Sequence, residues 1–412
     1  MRDRKDSGLP WVGDIPVDWN VYRGKNVVKK LKRPVKDTDG VITCFRDGEV
    51  TLRSNRREEG FTFSEQEVGY QGIEPGDLVI HGMDGFAGSI GISDSRGKGT
   101  PVLNVLDSKN DKRFLMYYFR TIAKCGYFES VATGIRVRTC DTNWNKISAT
   151  PCLVPPLAEQ YRIAAYLDER CAKIDEAIAR HDALIKKLDE YRKAVITKAV
   201  TKGVKKTSQL KHSDIEWIDS VPDTWPLAKI KHVFIESKER SKDGTGMPLS
   251  LAKNTGVIPT NEKSNKTLVS TSYVDAKVVH PGEVVFNRFK ARLFAVSRYD
   301  GLVSPDYAVY KGVGDNYMPY FVYLFGTQIY RDAFDNKASG IGDGYSRLYT
   351  DELFSMPVYL PSPEEQQEIV AYLDKKCAAI DAAKDRHAQL MAKLEEYKKS
   401  LIYYAVTGKI EC

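Results

Sequence analysis

Two short stretches hold residue types that could carry out catalysis. Pro222-Asp223 followed by Glu236-Ser237-Lys238 has the order of a nuclease motif, in which two carboxylates bind Mg²⁺ and a lysine orients water. Ser304-Pro305-Asp306-Tyr307 is close to the catalytic loop of an amino-methyltransferase, but Asp306 stands where that loop has its second proline. Both patterns are short and arise easily by chance. We therefore interpret both as ordinary loop and strand.

The rest of the sequence contains no further catalytic motif. There is no phosphate-binding G-x-x-x-x-G-K-(S/T) loop, and the glycines at 82, 85, 88 and 91 lack G-x-G-x-x-G spacing. The 6 histidines and 7 cysteines are dispersed, so we expect no metal site and no cofactor. A net charge of +7 is compatible with a nucleic-acid partner without requiring one. No apolar run suits a membrane span or secretory signal, and scattered cysteines suit reduced thiols, so we expect a cytoplasmic protein.

The chain is a tandem duplication of one plan. AEQYRIAAYLDERCAKID at 158–175 returns as EEQQEIVAYLDKKCAAID at 364–381, and the match runs without a gap from Glu159/Glu365 to Thr201/Thr407. The same offset of 206 relates Trp11, Pro16 and Trp19 to Trp217, Pro222 and Trp225. The tails, at about 157–200 and 363–406, keep their sequence between copies. The regions before them, at about 20–150 and 226–356 and called the fronts below, keep only scattered identical residues. We infer that the tails do one job twice and that the fronts do two different jobs.

The tails are predicted to be long helices that pair with each other. No Gly or Pro occurs from Ala158 to Ala199, and apolar residues recur at alternating steps of three and four, as in a coiled coil. The predicted seam residues are Leu167, Cys171, Ile174, Ile178, His181 and Leu188 in the first copy, and Leu373, Cys377, Ile380, His387 and Leu394 in the second. If the helices pair antiparallel, His181 and His387 lie close together near the centre, where packing is the expected role and pH sensing a weaker possibility.

The fronts have the pattern of mixed α/β domains. Short β-rich runs such as Gly76–Ile80 and Gly282–Phe286 lie between turn residues, and apolar helical segments follow at Phe114–Ile122 and Tyr320–Tyr330. We predict a mixed α/β (α+β) protein of four parts with a pseudo-two-fold arrangement. These are a first globular domain at 1–152, a long helix within 153–206, a second globular domain at 207–358 and a second long helix within 359–412.

The duplicated motif resembles a known family. E-Q-x-x-I-x-x-Y-L-D-x-x-C-x-x-I-D followed by L-x-x-L-x-E-Y, present twice behind a W-x4-P-x-x-W opening, looks like the specificity (S) subunit of a type I restriction–modification enzyme. The resemblance covers essentially the whole chain. It implies that each front is a target recognition domain for one half of a split, asymmetric DNA sequence. It also implies that the tails form an antiparallel coiled coil that docks two methyltransferase (M) subunits, with restriction (R) subunits added, and that this chain is not itself catalytic.

Basic and amide side chains are the candidates for contact with double-stranded DNA, since phosphates bind Lys and Arg and base edges bind Arg, Asn or Gln. In the first front these candidates are Arg53, Asn55, Arg56, Arg57, Arg136 and Arg138. In the second they are Asn287, Arg288, Lys290, Arg292, Tyr345 and Arg347. A solvated surface is the alternative interpretation of every such cluster.

Two other functions remain open at this stage. A coiled-coil scaffold that binds only proteins explains the helices but not two diverged fronts with basic loops. A DNA-nicking enzyme that uses Glu236 and Lys238 predicts metal-dependent cleavage by the isolated chain. The duplicate positions of those two residues are Lys30 and Lys32, which could not bind a metal.

Overall fold

The computed structural model describes residues 2–56, 68–132, 142–205, 207–252, 255–263, 272–289, 293–342 and 345–412, with 341, 342 and 345 described in their backbone alone. The chain divides into two compact units. The first is formed by Met1–His181 with Ala388–Cys412, and the second by Asp182–His387. Each unit therefore combines one front with parts of both long helices. The four-part division of the sequence stays a prediction.

The first front is built on a four-stranded antiparallel sheet in the order β4-β11-β8-β9. Its described strands are β1 (Arg4–Asp6), β2 (Asp14–Pro16), β3 (Asn20–Arg23), β4 (Lys29–Lys30), β5 (Ile42–Cys44), β6 (Val50–Leu52), β7 (Gln71–Ile73), β8 (Leu78–His81), β9 (Ile90–Ile92), β10 (Gly97–Gly99), β11 (Leu103–Asp107) and β12 (Pro151–Val154). Its helices are α1 (Gly24–Val27), α2 (Lys112–Lys124), α3 (Tyr127–Ser130) and α4 (Trp144–Ala149). Leu78 and Ile80 of β8 are buried in the same core as Phe114, Tyr118 and Phe119 of α2.

The second front repeats this sheet as β16-β23-β20-β21, again antiparallel. Its described strands are β13 (Leu210–His212), β14 (Ser220–Pro222), β15 (Leu227–Lys229), β16 (Phe234–Glu236), β17 (Leu249–Ala252), β18 (Gly256–Pro259), β19 (Lys277–Val279), β20 (Val284–Asn287), β21 (Phe294–Val296), β22 (Gly301–Val303), β23 (Tyr307–Gly312), β24 (Ser339–Gly342), β25 (Tyr345–Arg347) and β26 (Pro357–Tyr359). Its helices are α6 (Met318–Phe325), α7 (Gln328–Lys337) and α8 (Thr350–Ser355). The prediction of one helical segment over Tyr320–Tyr330 was wrong, because that stretch breaks at Gly326-Thr327, where the Thr327 hydroxyl donates to the carbonyl of Leu324.

The two tails are the long helices α5 (Leu157–Lys202) and α9 (Pro363–Val406), which lie inside the segments 153–206 and 359–412 where long helices were predicted. Gly203 follows the end of α5 with a φ of +69° and Gly408 lies just past α9 with a φ of +66°, a backbone conformation that favours glycine and stops a helix. The mixed α/β fold with long helices is as predicted.

Seam residues are buried most deeply near the fronts. Leu167, Cys171 and Ile174 are buried in the first unit, and Leu373, Cys377 and Ile380 in the second. The seam becomes half-buried further along each helix, at Ile178, His181, Leu188, His387 and Leu394. A half-buried stripe is what a two-helix pair provides, since each helix covers only one face of the other. The predicted closeness of His181 and His387 stays a prediction.

Within each unit the helix segments run antiparallel. In the second unit Lys384 Nζ lies 2.5 Å from Asp189 Oδ1, and Arg192, further along α5, reaches back along α9 to Asp381 at 3.2 Å. In the first unit Lys398 Nζ lies 2.6 Å from Asp175 Oδ1. Asp175 and Lys398 occupy the duplicate positions of Asp381 and Arg192, so each unit contains the same cross-helix ion pair.

Candidate nucleic-acid interface

The opening residues of the tail motif join each helix to its front. In the first unit the indole Nε1–H of Trp19 donates to Glu159 Oε2 at 3.1 Å, and Arg2 donates to the same carboxylate at 2.6 Å and 2.9 Å. In the second unit Trp225 donates to Glu365 Oε2 at 3.0 Å. These contacts explain why the tryptophans and glutamates are retained in both copies.

The next residue of the motif makes a second joint. The side-chain amide of Gln160 donates to the carbonyl of Pro155 at 2.8 Å, and its Oε1 accepts the backbone N–H of Asp111 at 2.9 Å. Gln366 repeats both bonds with Pro361 and with the backbone N–H of Tyr317. Since the bonds hold the start of α2 and of α6, each front is held firmly on its helix.

A tyrosine and an aspartate form a third joint. The Tyr117 hydroxyl donates to Asp168 at 2.9 Å, and the Tyr323 hydroxyl donates to Asp374 at 2.7 Å. Burial, followed by the neighbouring carboxylate, raises the pKa of both phenols, so both remain donors at neutral pH. The aspartate of the Y-L-D motif therefore attaches the front to its helix in both copies.

The first-front candidates that the structure describes lie beside the β5–β6 hairpin. Arg53 Nε donates to the Thr43 hydroxyl at 3.4 Å, and the Asn55 amide donates to Thr51 at 2.9 Å. Arg56 forms ion pairs with Asp47 at 2.5 Å and with Glu49 at 3.0 Å. Because Arg56 is already neutralised by two carboxylates, it is a weaker phosphate ligand than its residue type suggests.

A cavity of about 670 Å³ adjoins this hairpin and includes residues that the sequence reasoning missed. It is lined by Arg46, His81, Asp84 and Ser89 together with hairpin residues. Arg46 is well exposed and pairs with Asp84 at 2.8 Å. The signal that could have found His81 is the duplication, because His81 stands 206 residues before Asn287.

In the second front the structure brings two predicted clusters together. The backbone N–H of Leu348 donates to the carbonyl of Arg288 at 2.9 Å. The guanidinium of Arg347 lies 5.3 Å from the ring centre of Phe289 and 5.4 Å from that of Tyr349. Arg347, at the end of β25, therefore lies next to the end of β20, and cation–π contacts orient its planar fork.

Arg288 is held by its neighbours. Its guanidinium forms an ion pair with Glu236 and donates to the Thr350 hydroxyl at 3.3 Å. Lys277 Nζ lies 2.8 Å from the same Glu236 oxygen. Burial lowers the pKa of Lys277, with Arg288 adding to that effect and Glu236 opposing it. Because two cations share one carboxylate, the net charge of this cluster at the end of the second sheet is positive.

The same contacts argue against a nuclease site. Glu236 Oε1 is engaged by both Lys277 and Arg288, so this oxygen already faces two cations of the chain itself, which disfavours a metal ion there. In the part of the chain that the structure describes, no group of three or more His, Cys, Asp or Glu side chains could hold a metal ion. The Pro-Asp…Glu-x-Lys pattern thus has a structural explanation.

Several candidates are not covered by this description. Arg57, Arg136, Arg138, Lys290 and Arg292 lie outside the described residues, and Tyr345 is described only as the first residue of β25. Their predicted role in DNA contact stays a prediction.

The first unit has a further basic groove that the sequence reasoning missed. A cavity of about 510 Å³ between α2 and the last turns of α9 is lined by Arg120, Lys124, Lys398 and Lys399, and also by Asp47, Asp175 and Glu395. Burial lowers the pKa of Arg120 and of Lys124, and neighbouring cations lower that of Lys124 further. The second unit has Gly326 and Tyr330 at the duplicate positions of Arg120 and Lys124, so the groove's charge belongs to one copy.

The protein is thus a duplicated mixed α/β protein. In each unit a front is attached to antiparallel segments of the two long helices, and the candidate DNA-contact residues lie near the ends of strands in the fronts. No family model matches the chain. It is 22% identical to the putative type I restriction enzyme MjaX specificity subunit of Methanocaldococcus jannaschii, over 97% of this chain and 95% of that protein. It is also 22% identical to the EcoKI specificity subunit of Escherichia coli, over 97% of this chain and 90% of that protein.

Solved structures agree in fold. A chain from a study of complex assembly and conformational transition of the type I R-M system superposes with a TM-score of 0.72 at 14% identity, covering 96% of this chain and 99% of that one. The HsdS subunit from Thermoanaerobacter tengcongensis gives a TM-score of 0.57 at 15% identity, covering 96% and 98%. Over nearly its whole length the chain is therefore similar to specificity subunits of type I restriction–modification enzymes. These relatives are named specificity subunits, which supports the prediction that this chain is not itself catalytic.

Proposed function

We propose that this chain reads a bipartite, asymmetric DNA sequence, one half with each unit. The observation that carries the proposal is the contrast between what the copies keep and what they change. The joints at Glu159/Glu365 and Gln160/Gln366 are the same, whereas the residues from the last position of the central strand onward are His81-Gly82-Met83 in one copy and Asn287-Arg288-Phe289 in the other. Different side chains on one scaffold suit two different half-sites separated by a spacer.

The helices supply the docking surface for two methyltransferase subunits. Leu184 and Leu390 are 42% and 40% exposed, and Tyr191 and Tyr397 are 52% and 57% exposed. Each pair is identical between copies although its members pack into neither core. Exposed apolar residues retained at duplicate positions are expected of a surface that binds the same partner twice. Restriction subunits would join through that assembly.

The deciding experiment is co-expression of this chain with the methyltransferase subunit encoded beside it, followed by genome-wide mapping of methylated adenine. We expect a two-part motif that disappears when this chain is deleted. Methylation that does not depend on the chain would contradict the proposal and favour a protein-only scaffold.

The docking surface is tested separately by purification of the co-expressed complex. Tyr191→Ala and Tyr397→Ala should each weaken retention of the methyltransferase, and the double variant should weaken it most. Lys186→Ala, which removes an exposed side chain of α5 that pairs with Asp182 on its own helix, is the control. Equal retention by all variants would contradict docking through these tyrosines.

No helix in the described part of the chain is long and apolar enough to cross a membrane.

A further inference from the structure

His81 and Asn287 end the central strand of their respective sheets and close the hairpin that follows in the same way. The backbone N–H of His81 donates to the carbonyl of Ser89, and that of Asn287 to the carbonyl of Leu293. The next carbonyl in each copy, of Gly82 and of Arg288, accepts a backbone N–H from a residue 60 positions further on, Thr142 or Leu348. The two side chains thus start from equivalent backbone positions.

The acceptor atom of each of these side chains accepts hydrogen bonds from the backbone of the loop that follows it. Nδ1 of His81 accepts the backbone N–H of Met83 at 3.2 Å and that of Asp84 at 3.0 Å. Oδ1 of Asn287 accepts the backbone N–H of Phe289 at 2.9 Å. A histidine and an asparagine therefore perform the same local task, with an acceptor bonded to the amide two residues ahead.

The chemistry of the remaining group follows from that use of the acceptor. A neutral imidazole whose Nδ1 accepts carries its proton on Nε2, and an asparagine whose Oδ1 accepts turns its NH₂ group away from the loop. Within the described chain neither His81 Nε2 nor Asn287 Nδ2 has a hydrogen-bond partner, and neither atom is among the fully buried ones. Both side chains are half-buried, and His81 lines the cavity beside Arg46. Each unit thus presents one N–H donor group of fixed orientation at the end of its central strand.

We propose that His81 and Asn287 are equivalent specificity-determining residues, each donating to a major-groove acceptor of a base in its own half-site. The acceptors available there are purine N7, guanine O6 and thymine O4. The loop bonds remove the rotational freedom of both donors before DNA arrives, which favours a precise contact. The histidine offers one donor and the amide two, so the two half-sites need not share a base at this position. This inference rests on the proposed function.

The test removes the donor while keeping the acceptor. Asn287→Asp retains an oxygen for the Phe289 amide and replaces the NH₂ group with a second oxygen. His81→Asp does the same for the Met83 and Asp84 amides, and His81→Asn keeps both an acceptor and a donor. The full chain, co-expressed with its methyltransferase, is used throughout, and methylated motifs are mapped by sequencing.

We expect N287D to relax or change one base of the half-site read by the second unit and to lower methylation of the original sequence by roughly tenfold or more. H81D should act in the same way on the other half-site only, and H81N should restore part of the preference. The unaffected half-site in each variant shows that the chain is folded and assembled. Val17→Asp adds the same charge at an exposed position of the first unit, where the duplicate residue is already Asp223, and should leave the motif unchanged.

Two results would overturn the inference. One is an unchanged motif in N287D and H81D while the wild-type chain yields a two-part motif, which would leave the proposed function intact. The other is an equal loss of methylation at all sequences with the same preferences, which would assign both residues to phosphate contact. A wild-type chain without any dependent motif would instead refute the proposed function itself.

Discussion

Trp19 and Glu159 form a buried hydrogen bond between the first front and the first long helix, 140 residues apart in the chain. Trp225 and Glu365 form the same bond with the same separation of 140 residues. A glycine at the end of the opposite helix completes each joint, since a Cβ on Gly408 would come within 3.2 Å of Trp19 and one on Gly203 within 3.6 Å of Trp225. One front, the start of its own helix and the end of the other helix therefore meet at a tryptophan in each unit.

This joint predicts the effect of removing the indole N–H. Trp19→Phe keeps an aromatic ring but leaves the buried Glu159 with one donor fewer, so we expect the free energy of unfolding to fall by about 1–3 kcal/mol. The control is Trp11→Phe, because Trp11 Nε1 is buried without a hydrogen-bond partner in the described chain. Chemical denaturation measures both. Equal losses for the two variants would show that ring volume, and not the hydrogen bond, stabilises the joint.

The antiparallel pairing predicts a charge-reversal effect on the helices. Lys384→Asp places a carboxylate against Asp189 and should lower stability by about 0.2–1 kcal/mol, since the pair is partly exposed. The second change, Asp189→Lys, should restore most of the loss. A double-mutant cycle in denaturant measures the coupling, and additive losses would contradict the pairing.

The cluster at the end of the second sheet predicts unequal roles for the two residues of the nuclease-like pattern. Glu236→Ala leaves Lys277 and Arg288 without their shared carboxylate and should cost about 1–3 kcal/mol of stability. Lys238→Ala, at an exposed position, should cost less than about 0.5 kcal/mol. Thermal unfolding compares them. Loss of Mg²⁺-dependent DNA cleavage in both variants, with equal stability, would instead support a nuclease.

Two histidines should titrate in opposite directions. Burial lowers the pKa of His81, Arg46 lowers it further, and Asp84 opposes the effect. The unfolded chain therefore binds the proton more readily than the folded chain does. Stability falls as the pH drops below about 6.5, the ordinary pKa of histidine, and it stops falling further once the pH is below the lowered pKa of His81. Hydrogen bonds with Asp300 and then Glu239 raise the pKa of His280. The stabilisation by protonated His280 is fully present below a pH of about 6.5, and it is lost as the pH rises through the raised pKa of His280.

Selective ¹³C labelling of histidine, with His81→Asn and His280→Asn to assign the signals, measures both titrations. A lower midpoint for His280 than for His81 would contradict the arrangement of their neighbours.

Arg347 and Arg56, two of the described arginines at the recognition surfaces, should contribute unequally to DNA binding. Arg347 is stacked beside two aromatic rings at the end of β25, and Arg347→Ala should weaken binding of the assembled complex by about 1–3 kcal/mol. Arg56 is neutralised by Asp47 and Glu49, so Arg56→Ala should have a smaller effect. Titrations at several salt concentrations measure both. A larger loss for Arg56→Ala would show that DNA displaces its intramolecular partners.

The sequence by itself determined the repeated parts of this protein. Both long helices were predictable to within a few residues because no Gly or Pro interrupts them and their apolar residues keep one spacing. The duplication, read at a single offset, indicated two fronts on one plan, and the retained motif indicated the family. Residue spacing and the similarity of the two halves are properties of the sequence itself, and both can be recognised without a structure.

Only the tertiary structure decided what the retained and the changed residues do. Glu236 meets Lys277 and Arg288 across 41 and 52 residues, so its neutralisation could not be seen in the order Glu-Ser-Lys. The motif residues Glu159 and Gln160 lie in the predicted helix, but their contacts with the front could not be read from the sequence. His81 had no apparent role until the loop after it folded back on Nδ1 and left Nε2–H as its outward donor. Such roles depend on which distant groups the chain path brings within bonding distance, and residue spacing along the sequence does not encode that path directly.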